Sequence, residues 1–480
     1  MDRMSPLDAS FLHIENDVNH MHIGSVGIFE GSAPNYGDFA DLVAGKLPLV
    51  PRYRQKVRFV PFDLGRPVWV DDPHFNLGYH LRHTALPPPG GDQELRNLVG
   101  RLMAQQLDRT KPLWEMWMVE GLQDGHWALV SKVHHCMVDG VSGSDLLAVM
   151  LDPEREPPPP SHDTWRPRPE PSDVRLITEA LGDLIANPYE QFRAMRAAAR
   201  GWRQLGELFG EAARGVASLS GLVRPTVESS LNGSIGPHRR WDWARTTLTD
   251  VKRVRSALGG TVNDVVLTVL TRGFRDLIMT RDESPDGRVV RTLVPVSVRL
   301  ADERGVYNNR VSAMFAELPI GIADPAERLT AIRKQMDGLK ESKQAVAGEV
   351  LTSLSGFAPA LLLAVGTRVA FRIPQRNVNT VTTNVPGPQQ PLYACGRQML
   401  EAFPFVPIAG HLRVGVAIFS YNGMLNFGVT GDYDTAPDIG VLCRGVEDGM
   451  TELLKLSGDS RAPADPASAQ VPAANGSARD

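Results

Sequence analysis

An apolar, β-forming segment, Trp127-Ala-Leu-Val-Ser-Lys-Val133, runs directly into two adjacent histidines, His134 and His135, and then into Cys136-Met-Val-Asp139-Gly140. Such a segment reads as a buried strand. Beyond it, Ser142-Gly-Ser-Asp-Leu-Leu-Ala-Val-Met-Leu151 places polar starters before an apolar run, as at a helix N-terminus. The histidine pair therefore sits where a strand ends and a loop turns toward a helix. A rigid scaffold holds such loops, which makes them favoured places for chemistry.

The rest of the chain alternates strands and helices around this point. Met21–Phe29 reads as a strand carrying His22 just after His20, a pair expected to be satisfied strand histidines rather than catalytic groups. Apolar residues at Leu95, Leu98, Val99, Leu102 and Met103 predict a helix over Asp92–Gln106. Met116–Gly121 reads as a strand, joined by a hairpin at Gln123-Asp-Gly125 to the one that ends in the histidines. Between 153 and 230 the composition changes: Pro157–Pro160 and Pro167, Pro169 and Pro171 predict an extended linker, followed by helix from Val174 to about Val223. Arg193, Arg196, Arg200 and Arg203 form a basic stripe there, suited to a solvated face or to an anionic lipid surface.

The second half predicts helices at Leu248–Leu258, near 324–342 and at 347–371, with strands at Val289–Arg299 and Val378–Asn384. A hairpin of Leu412–Tyr421 and Met424–Thr430 turns over Asn422-Gly423. The tail after Gly458, rich in Ala, Pro, Ser and Asp, is expected to be disordered.

Composition bounds the function classes. With 480 residues, 42% of them hydrophobic, a large core is easily buried. A net charge of −4 gives no drive toward nucleic acid. Three widely spaced cysteines suit a reducing compartment better than a disulfide framework. No secretory signal is read at the N-terminus. The best candidate span, Val350–Thr367, is broken by Ser, Gly and Pro, so a cytoplasmic or peripheral protein is expected.

His-His followed by Asp admits three chemistries. A metal site is disfavoured, because consecutive strand residues point to opposite faces and zincin spacing is absent. A Cys136 nucleophile is disfavoured too, since sequence neighbours seldom point at each other, and a buried thiol is the simpler reading. No G-x-S-x-G elbow supports a serine hydrolase. The third is general-base catalysis: a neutral imidazole deprotonates an alcohol as it attacks a thioester. Asp139 would then need a cationic partner, and Arg299, at the end of a buried strand, is the candidate.

The motif His134-His135-Cys-Met-Val-Asp139-Gly140 resembles the H-H-x-x-x-D-G signature of the CoA-dependent acyltransferase superfamily. That group includes chloramphenicol acetyltransferase and the condensation domains of peptide synthetases. Pro6-Leu-Asp-Ala-Ser-Phe11, Pro112-Leu-Trp-Glu115, Leu231-Asn-Gly through Arg240, Asn263-Asp-Val-Val-Leu267 and Asn384-Val-Pro-Gly-Pro388 resemble, in order, the bacterial wax ester synthase/diacylglycerol acyltransferase family. The likeness runs from near residue 6 to about 455, with mild departures at Ser234 and at Thr383, where serine is common in that family.

The resemblance implies an α/β fold of two chloramphenicol-acetyltransferase-like lobes with mixed sheets flanked by helices and an active-site tunnel between them. The lobes would be 1–152 and 231–457, with 153–230 as linker and 458–480 as tail. It implies His135 as general base, His134 as loop support, Asp139 as a structural ion-pair partner and Gly140 as a turn whose amide faces the oxyanion. Thr383 and Asn384 would approach the oxyanion from the second lobe. Trp114 would pack or line the acyl path, and Asn263 and Asp264 would be structural. Acyl-CoA and a diacylglycerol or long-chain alcohol would be the substrates, with a membrane or lipid-droplet surface as a further partner. Neither a metal nor a cofactor is called for. A catalytically silent lipid-binding protein of the same fold is the alternative.

Overall fold

The computed structural model describes residues 2–137, 149–157, 163–186, 229–297, 311–341 and 378–458. Asp139, Gly140, Arg299, the arginine stripe at 193–203, the expected helix at 347–371 and the tail after 458 lie outside the described residues.

The first half of the chain forms β1 (Asp2–Arg3), α1 (Pro6–Ile14), β2 (His22–Phe29), α2 (Tyr36–Lys46), β3 (Gln55–Arg58) and β4 (Val68–Asp71). It continues with β5 (Leu81–Ala85), α3 (Asp92–Met103), β6 (Trp114–Glu120), β7 (Trp127–His134) and α4 (Asp173–Ala186). The second half opens with β8 (Arg239–Thr247), α5 (Leu248–Leu258), α6 (Val262–Thr280), β9 (Val290–Ser297), β10 (Val311–Leu318) and α7 (Pro325–Glu341). It closes with β11 (Thr380–Pro386), β12 (Tyr393–Ala394), β13 (Arg397–Phe405), β14 (Val414–Tyr421), β15 (Met424–Asp432) and α8 (Ile439–Leu456).

Among the described residues, two sheets of six strands carry the fold, in the orders β12-β13-β2-β7-β6-β5 and β10-β9-β11-β14-β15-β8, beside a small sheet β1-β4-β3. Both large sheets are mixed. β5 runs parallel to β6 in the first, and β9, β11 and β14 run parallel to one another in the second. This is the expected α/β architecture.

Local sequence explains the elements that frame the site. In α3, the buried residues Leu95, Leu98, Val99, Leu102 and Met103 make one apolar stripe against the first sheet. Lys132 of β7 is fully buried and donates from Nζ to the carbonyl of Leu102 at 2.9 Å and to that of Gln105, where the helix C-terminus accumulates negative partial charge. In α6, Thr261 and Asp264 form a reciprocal capping box: the Thr261 amide donates to Asp264 Oδ2 at 2.7 Å. The β14–β15 hairpin turns at Asn422 and Gly423, both with positive φ, as the Asn-Gly pair predicts.

One connection departs from the division of the chain at 231. After β11 the chain leaves the second sheet, adds β12 and β13 to the first sheet beside β2, and returns to the second as β14. A strand of the second half thus completes the sheet of the first. The carbonyl of Pro404 on β13 accepts from Trp241 Nε1 at 3.2 Å, and that of Ala402 accepts from the buried Asn426 amide at 2.9 Å. Arg245 of β8 grips Glu401 through Nε and Nη2 at 2.7 and 3.0 Å. Trp243 stacks on Phe403 at 4.8 Å between ring centres, in a cluster shared by α3, both sheets and Trp241.

β15 crosses β13 so closely that a Cβ at Gly428 would overlap the Pro404 carbonyl. Backbone cannot yield as a side-chain tip can. Gly428→Ala is therefore expected to cost about 2–3 kcal/mol, read as a lowered thermal midpoint; an unchanged midpoint would show that the crossing is not held this tightly.

Candidate active site

The site is built on the end of β7. His134 is its last residue, and His135 opens a tight turn, His135–Met137. The His134 amide donates to the Leu113 carbonyl at 2.9 Å, and the His135 amide donates to the Met21 carbonyl at 2.8 Å. The pair is thus pinned between β6 and β2. Leu113 belongs to the Pro112-Leu-Trp segment, so that motif braces the histidines through its backbone.

The two rings go separate ways, as strand alternation requires. His135 lies against Phe11 of α1, with ring centres 4.0 Å apart and an interplanar angle of 27°. Burial pushes its pKa down to about 4, and the positive charge available to His134 adds to the effect, against a favourable contact with its own backbone carbonyl. The ring is therefore neutral, and able to accept a proton, across the physiological range.

His134 is fully buried and turns inward. Its Nδ1 accepts from the Cys136 amide at 3.1 Å, and its Nε2 lies 3.4 Å from Glu15 Oε2. His22, its direct cross-strand partner on β2, places Nε2 3.3 Å from the other carboxylate oxygen, Oε1. Arg109 closes the cluster with Nε and Nη2 at 2.9 and 2.6 Å from Glu15 Oε2. Burial raises the Glu15 pKa, but hydrogen bonds and charge from His134 and His22 outweigh it and hold the carboxyl well below the usual carboxylate range. Burial pushes His22 down to about 3, so this ring faces the carboxylate uncharged.

Glu15, Arg109 and Phe11 are the residues the sequence reading did not pick out. A signal was there. Ser5-Pro-Leu-Asp8 has a capping residue, proline in the first turn and an acid three residues after the cap; Ser5 Oγ accepts from the Asp8 amide at 3.1 Å. A helix starting at Pro6 puts Phe11 and Glu15 four residues apart and so on one face.

The other expected site residues divide. Asp264 is the capping-box residue of α6. Asn263 accepts from the Asn384 amide at 3.5 Å, so these two do meet. Thr383 and Asn384, however, lie on opposite faces of β11. Asn384 sits opposite Ile418, part of the core under the second lobe's helices, whereas Val385 and its partner Phe419 join the cluster holding Cys136 and Met137. Thr383 shares the Val385 face, toward the motif; Asn384 is turned to α6, which corrects the expectation that both approach the reacting centre. Of the two parts expected of Trp114, packing or lining the acyl path, its position is one of packing. It is fully buried, sandwiched between Tyr53 and His80 with ring centres 4.5 Å away on each side, and its Nε1 donates to the Tyr53 carbonyl at 2.8 Å. It is a core residue.

Among the described residues, no group of three or more His, Cys, Asp or Glu side chains is placed to hold a metal ion. Cys136 is fully buried, and desolvation raises its thiol well above the ordinary range, which disarms it as a nucleophile. Iodoacetamide is accordingly expected to leave Cys136 unmodified in the folded protein, with activity retained. Modification of Cys136 in step with loss of activity, read by peptide mass analysis, would reinstate a thiol mechanism.

The profile of the wax ester synthase/diacylglycerol acyltransferase catalytic domain matches residues 4–266, and that of the corresponding C-terminal domain matches residues 307–454. A Mycobacterium tuberculosis relative named as diacylglycerol O-acyltransferase tgs1 is 38% identical over 459 residues, covering 95% of this chain and 96% of its own. The solved wax ester synthase/diacylglycerol acyltransferase of Marinobacter aquaeolei VT8 superposes with a TM-score of 0.66 at 27% identity, over 95% of this chain and all of that one. A trichothecene 15-O-acetyltransferase from Fusarium sporotrichioides shares the fold at 12% identity, with a TM-score of 0.60 over 94% of each chain. The chain belongs to the wax ester synthase/diacylglycerol acyltransferase family of acyltransferases.

Proposed function

We propose that this acyltransferase moves a fatty acyl group from acyl-CoA to the hydroxyl of diacylglycerol, and to long-chain alcohols as a second acceptor class, by direct transfer with His135 as general base. The observation that carries the reading is the placement of His135: its ring stacks on Phe11, beside the Cys136 and Met137 that Val385 and Phe419 of the second lobe pack against. The acceptor hydroxyl gives its proton to His135 as its oxygen attacks the thioester carbonyl. The tetrahedral intermediate collapses, the C–S bond breaks, and CoA thiolate leaves with the proton returned from the imidazolium. Holding both substrates at once supplies positioning as well as a base.

Thr383 is the second lobe's candidate oxyanion donor, since it shares the face of β11 that looks toward the motif. The parts proposed for Asp139, Gly140 and Arg299 rest on the motif, since all three lie outside the described residues. The transfer needs neither metal nor prosthetic group, because acyl-CoA is a substrate. The acceptor class is water-insoluble, which favours work at a membrane or lipid-droplet surface; among the described residues no helix is long and apolar enough to cross a membrane.

His135→Ala is expected to lower turnover by about 10²–10⁴-fold while the protein still unfolds cooperatively. Near-normal triacylglycerol formation from acyl-CoA and diacylglycerol by this variant would remove the base from the mechanism.

The pH profile gives a second test. A base is active when unprotonated, and a lowered pKa extends that form toward acid. The acid limb of kcat/KM is therefore expected near pH 4 rather than at the ordinary imidazole value of 6.5. An inflection at or above 6.5 would contradict a neutral His135.

A further inference from the structure

Helix α1 touches both histidines of the motif with residues one turn apart: Phe11 lies on the His135 ring, and Glu15, at the helix C-cap, faces His134. The hydrogen atoms follow from this arrangement. The Cys136 amide donates to His134 Nδ1, so that nitrogen carries no proton, and a neutral ring must carry its proton on Nε2, the atom turned to Glu15. If the proton sat on Nδ1 instead, two N–H groups would confront each other, and the turn that presents His135 would lose its anchor.

Three separate segments converge on Glu15: Arg109 donates hydrogen bonds to it, and two imidazoles face it. His22 comes from β2, His134 from β7, and Arg109 from the stretch between α3 and β6; the same Arg109 Nη2 also donates to the Leu12 carbonyl of α1 at 3.1 Å. Its side chain is 3% exposed, so the carboxylate has little water to fall back on.

We propose that Glu15 is a positioning residue for the acyl transfer: it fixes the tautomer of His134, which clamps the His135–Met137 turn, while Phe11 from the same helix sets the plane of the His135 ring. Neither residue touches the reacting atoms. The inference rests on His135 being the base, and it assigns to the Pro6–Phe11 motif segment the task of aligning that base.

The test uses the full chain with histidine-selective nitrogen-15 labelling and kinetics in parallel. In the unaltered protein the His134 Nδ1, identified by its loss in His134→Asn, is expected to show the shift of an unprotonated ring nitrogen; a protonated Nδ1 overturns the proposal. Glu15→Gln is expected to lower kcat about 100-fold with KM for acyl-CoA nearly unchanged. The double variant Glu15→Gln/His134→Asn should then lose no more than His134→Asn alone, because one acts through the other. Wild-type kcat in folded Glu15→Gln, or losses that multiply in the double variant, overturn it. If Glu15→Gln does not fold, the ring-nitrogen measurement on the unaltered chain still decides. Full activity in His135→Ala would instead remove the underlying base, a distinguishable failure.

Discussion

The antiparallel ladder between β13 and β2 is the contact on which the rest of the arrangement depends. Through it a strand of the second half completes the sheet of the first. With it, residues 397–405 are hydrogen-bonded to the first sheet while the strands on either side, β11 and β14, lie in the second. Tyr421, fully buried at the end of β14, ties the return: its hydroxyl accepts from the Leu392 amide at 2.8 Å and donates to the Met399 carbonyl at 2.9 Å. Such a bolt matters for a reaction that joins two separately bound substrates, because misplacement of about 1 Å can cost a hundredfold in rate.

The electrostatics of the first lobe sort its histidines by task. His134 and His22 share the buried Glu15 carboxylate, whose charge is paired with the partly exposed Arg109 guanidinium. His135 has an aromatic face instead, and desolvation leaves it uncharged. Adjacent residues thus present one imidazole to a carboxylate and the other to an aromatic face. The distinction is made entirely by which side of a strand end each ring leaves from.

Much of this could be read from residues alone. The strand before the histidines, the amphipathic α3 and the Asn-Gly hairpin followed from periodicity and turn chemistry. The crossover strand could not be read so easily. Arg397–Phe405 mixes charge with a proline, and a bulge between Met399 and Glu401 breaks the alternation that marks a strand. Helix α8 was hidden for a different reason: Gly440, Gly445 and Gly449 lower its intrinsic propensity, and packing on α6 supplies what propensity lacks. At the site, the histidine pair was legible as a motif, but Glu15 and Arg109 were not. They lie ninety-four residues apart in sequence, and only the third dimension joins them. Asn384 erred in the opposite sense, since membership in a motif says nothing about which way a side chain faces.

Direct transfer is the central claim, and pre-steady-state kinetics test it without any substitution. Acyl-CoA carrying a radiolabelled acyl group is mixed with the purified chain in the absence of acceptor, quenched, and assayed for free CoA and for label on protein. The account predicts no burst of CoA and no labelled protein until diacylglycerol is added, with intersecting lines when both substrates are varied. A stoichiometric burst with acyl label retained on the denatured chain, and parallel lines in the two-substrate experiment, would contradict it.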